Sequence, residues 1–240
     1  VVTHYRLDNL NLETRYAVNK IVQALGARKR GTLCFYGPPG TGKTALAEHI
    51  AAELDLPLMI RRASDLMSKY VGETEQQIAA MFARAEEDGA VLLLDEADSF
   101  MQSRQQAVRN YEVSEVNEML QGMERFNGIF ICTTNLFDRI DEAALRRFSF
   151  KIRFQALKPA QRISMFVDEA LDGDATNMTD GIRRELDGMD CLTPGDFATV
   201  KRQCVVLGEA LTPEEFLAQL RQEHAVKPEV RHHKPLGFIQ

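Results

Sequence analysis

The residues Gly37-Pro38-Pro39-Gly40-Thr41-Gly42-Lys43-Thr44 follow the pattern G-x-x-x-x-G-K-[ST]. An apolar run, Thr32–Tyr36, precedes them, and a helical repeat of Leu46, Ile50 and Leu54 follows. A strand, this pattern and a helix in register form a phosphate cradle. Glycines let backbone N–H groups converge on phosphate oxygens, and the helix N-terminus adds partial positive charge at the same point. Lys43 is expected on the terminal phosphates of a nucleotide, and Thr44 is expected to offer its hydroxyl to Mg²⁺. A second apolar run, Val91-Leu92-Leu93-Leu94, ends in Asp95-Glu96. Ligands of open α/β sheets bind beyond the carboxyl ends of strands, so both acids are expected near the cradle. Neighbouring strand residues point to opposite sides, which assigns them different work. Asp95 suits the metal, through water, and Glu96 suits a general base that polarises an attacking water.

Short strand-like runs at Thr32–Tyr36, Leu58–Arg61, Val91–Asp95, Gly128–Thr133 and Phe150–Phe154 position these groups. Helical stripes separate them, including Ile78, Phe82 and Ala85, and Val113, Val116, Leu120 and Met123. Strands alternating with helices predict a five-stranded parallel sheet covered on both faces. After Leu157 the strand signals stop. Four stripes follow: Ile163, Phe166, Val167, Ala170 and Leu171; Ile182, Leu186 and Met189; Phe197, Val200, Cys204 and Leu207; and Phe216, Leu217 and Leu220. The expected organisation is an α/β domain over 1–156, a small all-helical lid over 157–225 and a polar, loose or docking tail over 226–240.

The chain has 240 residues, 45% hydrophobic and 27% charged, enough for one sizeable core and a satellite domain. A net charge of −6 gives no electrostatic footprint for nucleic acid, so no nucleic-acid partner is expected. Cys34, Cys132, Cys191 and Cys204 form no C-x-x-C pair, and no histidine sits at zinc-finger spacing from them. Free buried thiols in a reducing compartment, and hence a cytoplasmic location, are expected. No apolar run approaches the ~20 residues needed to cross a bilayer, and no secretory signal is visible. The chain begins with Val1 rather than Met, so the lack of a signal carries little weight.

Together these stretches resemble AAA+ ATPases, specifically the AAA subfamily that includes katanin, spastin and the membrane-bound AAA proteases. The resemblance spans roughly residues 5–220, and four further stretches carry it. Ile131-Cys132-Thr133-Thr134-Asn135 resembles the sensor-1 strand, which implies that Asn135 holds the attacking water or the γ-phosphate. Ile140-Asp141-Glu142-Ala143-Ala144-Leu145-Arg146-Arg147-Phe148 resembles the segment ending in arginine fingers. The family often has Arg-Pro-Gly-Arg-Phe here. The adjacent arginines leave open which of Arg146 and Arg147 is the primary finger. Ser68-Lys69-Tyr70-Val71-Gly72-Glu73-Thr74-Glu75 resembles pore loop 1, with Tyr70 gripping an extended polypeptide, Val71 behind it and Lys69 beside it. Thr74 is the expected cap of the next helix. Leu192-Thr193-Pro194-Gly195-Asp196-Phe197 is similar to the helix start where other AAA+ proteins carry a sensor-2 arginine. The small residue here agrees with the AAA subfamily, and Gly195 is expected to let the backbone approach the adenine.

The resemblance further implies a P-loop NTPase fold with nucleotide in a crevice between sheet domain and lid, and ATP and Mg²⁺ as cofactors. It also implies a homo-oligomeric ring, usually of six, acting on a polypeptide substrate. Tyr5–Leu10 occupies the adenine-wrapping position, and Gln102–Tyr111 with Arg104 and Arg109 the position of a second pore loop. Two rival readings stay open: a nucleic-acid motor or clamp-loader-type enzyme, and an ATP-gated scaffold that hydrolyses little.

Overall fold

The computed structural model describes residues 6–70, 72–98, 110–136, 140 and 142–232; side chains at 110–113, 143 and 231–232 are outside the description. Six strands build one sheet. They are β1 (Asn11–Glu13), β2 (Gly31–Tyr36), β3 (Leu58–Arg62), β4 (Val91–Asp95), β5 (Ile129–Thr134) and β6 (Phe150–Gln155), in the order β1-β6-β2-β5-β4-β3. The five strands expected from sequence pair in parallel as β6-β2-β5-β4-β3. The sixth, β1, adds three residues at the β6 edge, too short to leave an apolar run in the sequence.

Burial explains why the inner strands read as unbroken apolar runs. All six residues of β5 and the first four of β4 are buried, as parallel strands covered on both faces must be. The crossover helices are α1 (Val18–Arg28), α2 (Lys43–Glu53), α3 (Ala63–Leu66), α4 (Glu73–Glu87), α5 (Asn110–Arg125) and α6 (Glu142–Arg147). Ile78, Phe82 and Ala85 of α4 and Val116, Leu120 and Met123 of α5 enter one core with Leu92, Leu94 and Phe130. Phe82 stands at its centre, with ring centroids 5.5 Å from Phe126 and 5.3 Å from Phe130. Cys34 of β2 and Cys132 of β5 face each other in register, buried and free.

The chain divides into two compact units, one of Leu12–Gly37 with Lys43–Phe154, the other of the residues through Asn11, Pro38–Gly42 and everything from Gln155 on. The second unit is helical: α7 (Pro159–Ala170), α8 (Asp180–Gly188), α9 (Pro194–Leu207), α10 (Pro213–Ala225) and α11 (Pro228–His232). Its core joins Phe166, Leu186, Phe197, Val200, Phe216 and Leu220, with Phe166 and Phe216 edge to face at 5.9 Å. Two expectations are corrected here. The third stripe stops at Val200: Cys204 is half-buried and Leu207 is 67% exposed, because the last turn of α9 runs past the core. The start of the tail is not loose, since Pro228–His232 is helical and Lys227 Nζ lies 2.8 Å from Asp196 Oδ2. A proline at the first helical position explains the start at 228.

Candidate active site

In the sheet unit, the functional groups sit at the carboxyl ends of β2, β4 and β5. Gly37 leaves β2 with φ +138°, and a Cβ there would lie 2.1 Å from the Phe154 carbonyl oxygen, so glycine is required. Lys43 opens α2, and its buried ammonium donates to Gly37 O at 2.7 Å and to Asn135 Oδ1 at 2.8 Å. Burial lowers its pKa from 10.5 to about 8, while Asp95 and Asp98 pull it back up. Thr44 follows, half-buried, in the first turn of α2.

Asp95 ends β4, and its carboxylate accepts the Thr133 hydroxyl. The same Thr133 oxygen accepts the Glu96 N–H at 3.1 Å, and Thr133 O accepts the Ala97 N–H at 2.9 Å. These bonds hold Glu96 at φ +55°, a left-handed conformation that is uncommon for a residue with a side chain and costs of order 1–3 kcal/mol. β4 ends at Asp95, so Glu96 lies on a turn and the strand pleat invoked from sequence does not extend to it. Its side chain is exposed.

Asp98 escaped the sequence reading. Its Oδ1 accepts the Thr134 hydroxyl and, at 3.2 Å, the Asn135 N–H. It thereby anchors the end of β5 from which Asn135 reaches Lys43. Thr133 and Thr134 were quoted as strand residues without a role.

In the helical unit, Thr41 Oγ1 donates to Pro38 O at 2.7 Å, and the Gly195 N–H donates to Gly40 O at 2.7 Å. A Cβ on Gly195 would lie 2.7 Å from Gly40 Cα, so the approach of α9 to Gly40 is what demands glycine at 195. Thr193 and Asp196 form a capping box that starts α9, with Pro194 inside it. Leu7–Asn9 is a single 3-10 turn, with Gln161 Nε2 donating to Asp8 O and Leu10 O. Pro39 is exposed.

Tyr70 is 63% exposed, with Lys69 Nζ 5.9 Å from its ring centroid. Ser68 organises this loop: its hydroxyl donates to Glu73 Oε2 at 2.5 Å and accepts the Tyr70 N–H at 3.2 Å. Thr74 does not cap α4. Gly72 is the N-cap residue, and the buried Thr74 hydroxyl instead accepts the Ser68 N–H at 3.0 Å. Val71 lies outside the described residues, as do Tyr5, Arg104 and Arg109. Arg146 is exposed and pairs with Glu142 one turn back at 2.8 Å; Arg147 is half-buried and its Nε meets Glu124 at 2.6 Å.

Residues 33–156 match the model of the ATPase family associated with various cellular activities (AAA). The chain belongs to the AAA family of ATPases. It is therefore an ATPase module of that family, and it binds nucleotide. Similar proteins include the peroxisomal ATPase PEX6 of Arthrobotrys oligospora, 33% identical over 160 residues, covering 62% of this chain and 14% of the relative. The cell division cycle protein 48 homolog of Archaeoglobus fulgidus is 36% identical over 133 residues, 53% of this chain and 18% of the relative. The ATP-dependent zinc metalloprotease FtsH 2 of a Thermoanaerobacter species is 34% identical over 148 residues, 59% and 29%. The chain thus spans less than a third of these relatives. The solved AAA domain of FIGL-1 in complex with ADP matches with TM-score 0.66 at 20% identity, over 92% of this chain and 90% of that one. The E. coli MS115-1 HORMA:CdnC:Trip13 complex contains a chain that matches with TM-score 0.66 at 17% identity, over 92% and 97%. At these identities the likeness is one of AAA fold. Among the described residues, no helix is long and apolar enough to cross a membrane.

Proposed function

We propose that the module hydrolyses ATP with Mg²⁺ and uses the cycle to pull on a polypeptide through the pore of a homo-oligomeric, six-membered ring. The observation that carries the hydrolytic half is the ammonium of Lys43, held between Gly37 O and Asn135 Oδ1 beside Asp95 and Asp98. Arriving phosphates offer that ammonium stronger, charged acceptors than a backbone carbonyl and an amide. Lys43 then turns from its own loop to the β- and γ-oxygens, and the Asn135 amide becomes available to the attacking water or the γ-phosphate.

Glu96 is the general base. Water attacks the γ-phosphorus, its proton passes to the Glu96 carboxylate, and the bond to the β–γ bridging oxygen breaks, releasing ADP and phosphate. The left-handed backbone at Glu96, tied to Thr133, fixes the chain directly after β4, and the exposed side chain is open to water there. The Thr44 hydroxyl and the Asp95 carboxylate are hard oxygen donors and fit Mg²⁺, which when bound neutralises charge on the phosphate oxygens. Arg146 and Arg147 of a neighbouring copy supply further charge to the transferring group.

The exposed Tyr70, on a loop braced by Ser68 and Thr74, supports the mechanical half. An aromatic ring grips chains of varied sequence through apolar contact. The name of one relative, an ATP-dependent zinc metalloprotease, agrees with protein substrates. The test is ATPase rate per subunit against protein concentration, with Glu96→Gln as the blank. A rate that rises with concentration and vanishes in the variant supports shared sites. A flat rate that survives the substitution overturns the assignment.

A further inference from the structure

The helical unit brings together three side chains of metal-ligand type that ATP hydrolysis does not use. Asp190 and Cys191 lie on the turn between α8 and α9, and His224 lies in the last turn of α10. One carboxylate oxygen, the thiol sulfur and one ring nitrogen all fall within 4.8 Å of one another. His224 Nε2 faces inward, 3.4 Å from Asp190 Oδ1 and 3.3 Å from the Cys191 backbone N. The Cys191 N–H points at the same nitrogen, so a metal ion bound there takes over the single Nε2 lone pair from that N–H. The His224 side chain is 12% exposed while the Asp190 side chain is 79% exposed, so the cluster has a buried floor and an open mouth.

We propose that Asp190, Cys191 and His224 bind one Zn²⁺-class transition-metal ion, a structural site separate from the Mg²⁺ chemistry. A sulfur, an imidazole and a carboxylate suit zinc and its neighbours rather than magnesium or calcium, which take oxygen alone. Bond lengths of about 2.0–2.3 Å imply tetrahedral ligand–ligand edges of about 3.3–3.8 Å. The His224–Asp190 edge already has that length at 3.4 Å, and closing the rest asks for about 1 Å of movement in a turn. As the sulfur–metal bond forms, the Cys191 thiol proton leaves to solvent. A thiolate and a carboxylate then neutralise the dication.

The ion would staple the turn before α9 to the end of α10. That turn leads within four residues to Gly195, whose N–H holds Gly40. Occupancy would therefore stiffen the α9 approach to the phosphate loop.

The test is titration of reduced, tag-free chain with Co²⁺, then Zn²⁺, in a His232→Ala/His233→Ala background that removes the tail histidines. The expected result is one equivalent of Co²⁺ with a near-ultraviolet thiolate charge-transfer band, displaced by Zn²⁺. Cys191→Ser loses the band, and His224→Gln weakens binding by at least about 100-fold, since even outer-shell changes cost about 10–100-fold. X-ray absorption of the Zn²⁺-loaded chain should show one sulfur at about 2.3 Å with nitrogen and oxygen at about 2.0–2.2 Å. Absence of the band at one equivalent, or its survival in Cys191→Ser, overturns the proposal. If Cys191→Ser does not fold by circular dichroism, the His224→Gln affinity and the absorption fit decide alone.

Discussion

At the scale of single residues, Lys43 gives the sharpest expectation. Burial holds its pKa near 8 in the free chain, whereas bound phosphates stabilise the ammonium and keep it charged to higher pH. Above pH 8, ATP binding must therefore take up a proton. ATP affinity should fall by up to about tenfold per pH unit there, as calorimetry between pH 7 and 10 would register, and the slope should disappear in Lys43→Ala. Folding stability runs the opposite way. Between pH 8 and 10.5 the unfolded chain binds more protons than the folded one, so stability contributed through Lys43 rises with pH across that window. A second expectation concerns Asp98. Asp98→Ala strips the acceptor from the Thr134 hydroxyl and the Asn135 N–H, at a cost of about 1–3 kcal/mol for groups left unpaired. Denaturant titration would measure that loss. kcat should fall further than KM changes, because Asn135 loses its anchor. The glycine pattern and a strand end named Lys43 and Asp95, and the family resemblance named Asn135; the structure brings the three together around the Lys43 ammonium. Thr133 and Asp98 were not legible in the sequence. Their role is to receive and donate hydrogen bonds across β4 and β5, and pairing between strands distant in sequence leaves no local signature.

At the scale of elements, apolar period was a good guide wherever a core receives the stripe and misled where it does not. The α4 stripe enters the sheet core entirely, while the α9 stripe overshoots and leaves Leu207 exposed beside Val205 and Val206. Periodicity reports one apolar face but not where the neighbouring element ends. The start of α4 was misassigned for a similar reason: Thr74 suits an N-cap locally, yet tertiary position gives its hydroxyl to Ser68. The contact of α9 with Gly40 carries its own prediction. Gly195→Ala forces a methyl against backbone at 2.7 Å, with no flexible side chain to yield. Overpacking of this kind costs about 1–3 kcal/mol. ATP binding should weaken while the Phe166–Phe216 core stays intact, so nucleotide titration should register a loss that near-ultraviolet circular dichroism does not.

At the scale of the whole molecule, the question is whether the active site is complete within one copy. Among the described residues, exposed Arg146 pairs with Glu142 one turn back, a surface pair worth about 0.2–1 kcal/mol that a phosphate readily outcompetes. Arg147 is braced by Glu124, which makes it the stiffer of the two. If these arginines serve a neighbour's nucleotide, the interface is head-to-tail and two different defects can repair each other. Arg146→Ala/Arg147→Ala keeps Glu96 but lacks fingers; Glu96→Gln keeps fingers but lacks the base. Each alone should be at least about 100-fold slower than the unsubstituted chain. In an equimolar mixture, a copy with an intact Glu96 meets intact arginines at about a quarter of random head-to-tail junctions, so about a quarter of the unsubstituted rate should return. Tyr70→Ala, exposed and remote from these junctions in sequence, should keep full ATPase in the same assay while losing the capacity to unfold a protein substrate. Recovery in the mixture would mean that catalysis belongs to the assembly. Failure to recover, with both proteins folded and binding ATP, would mean that each copy works with its own arginines or with neither.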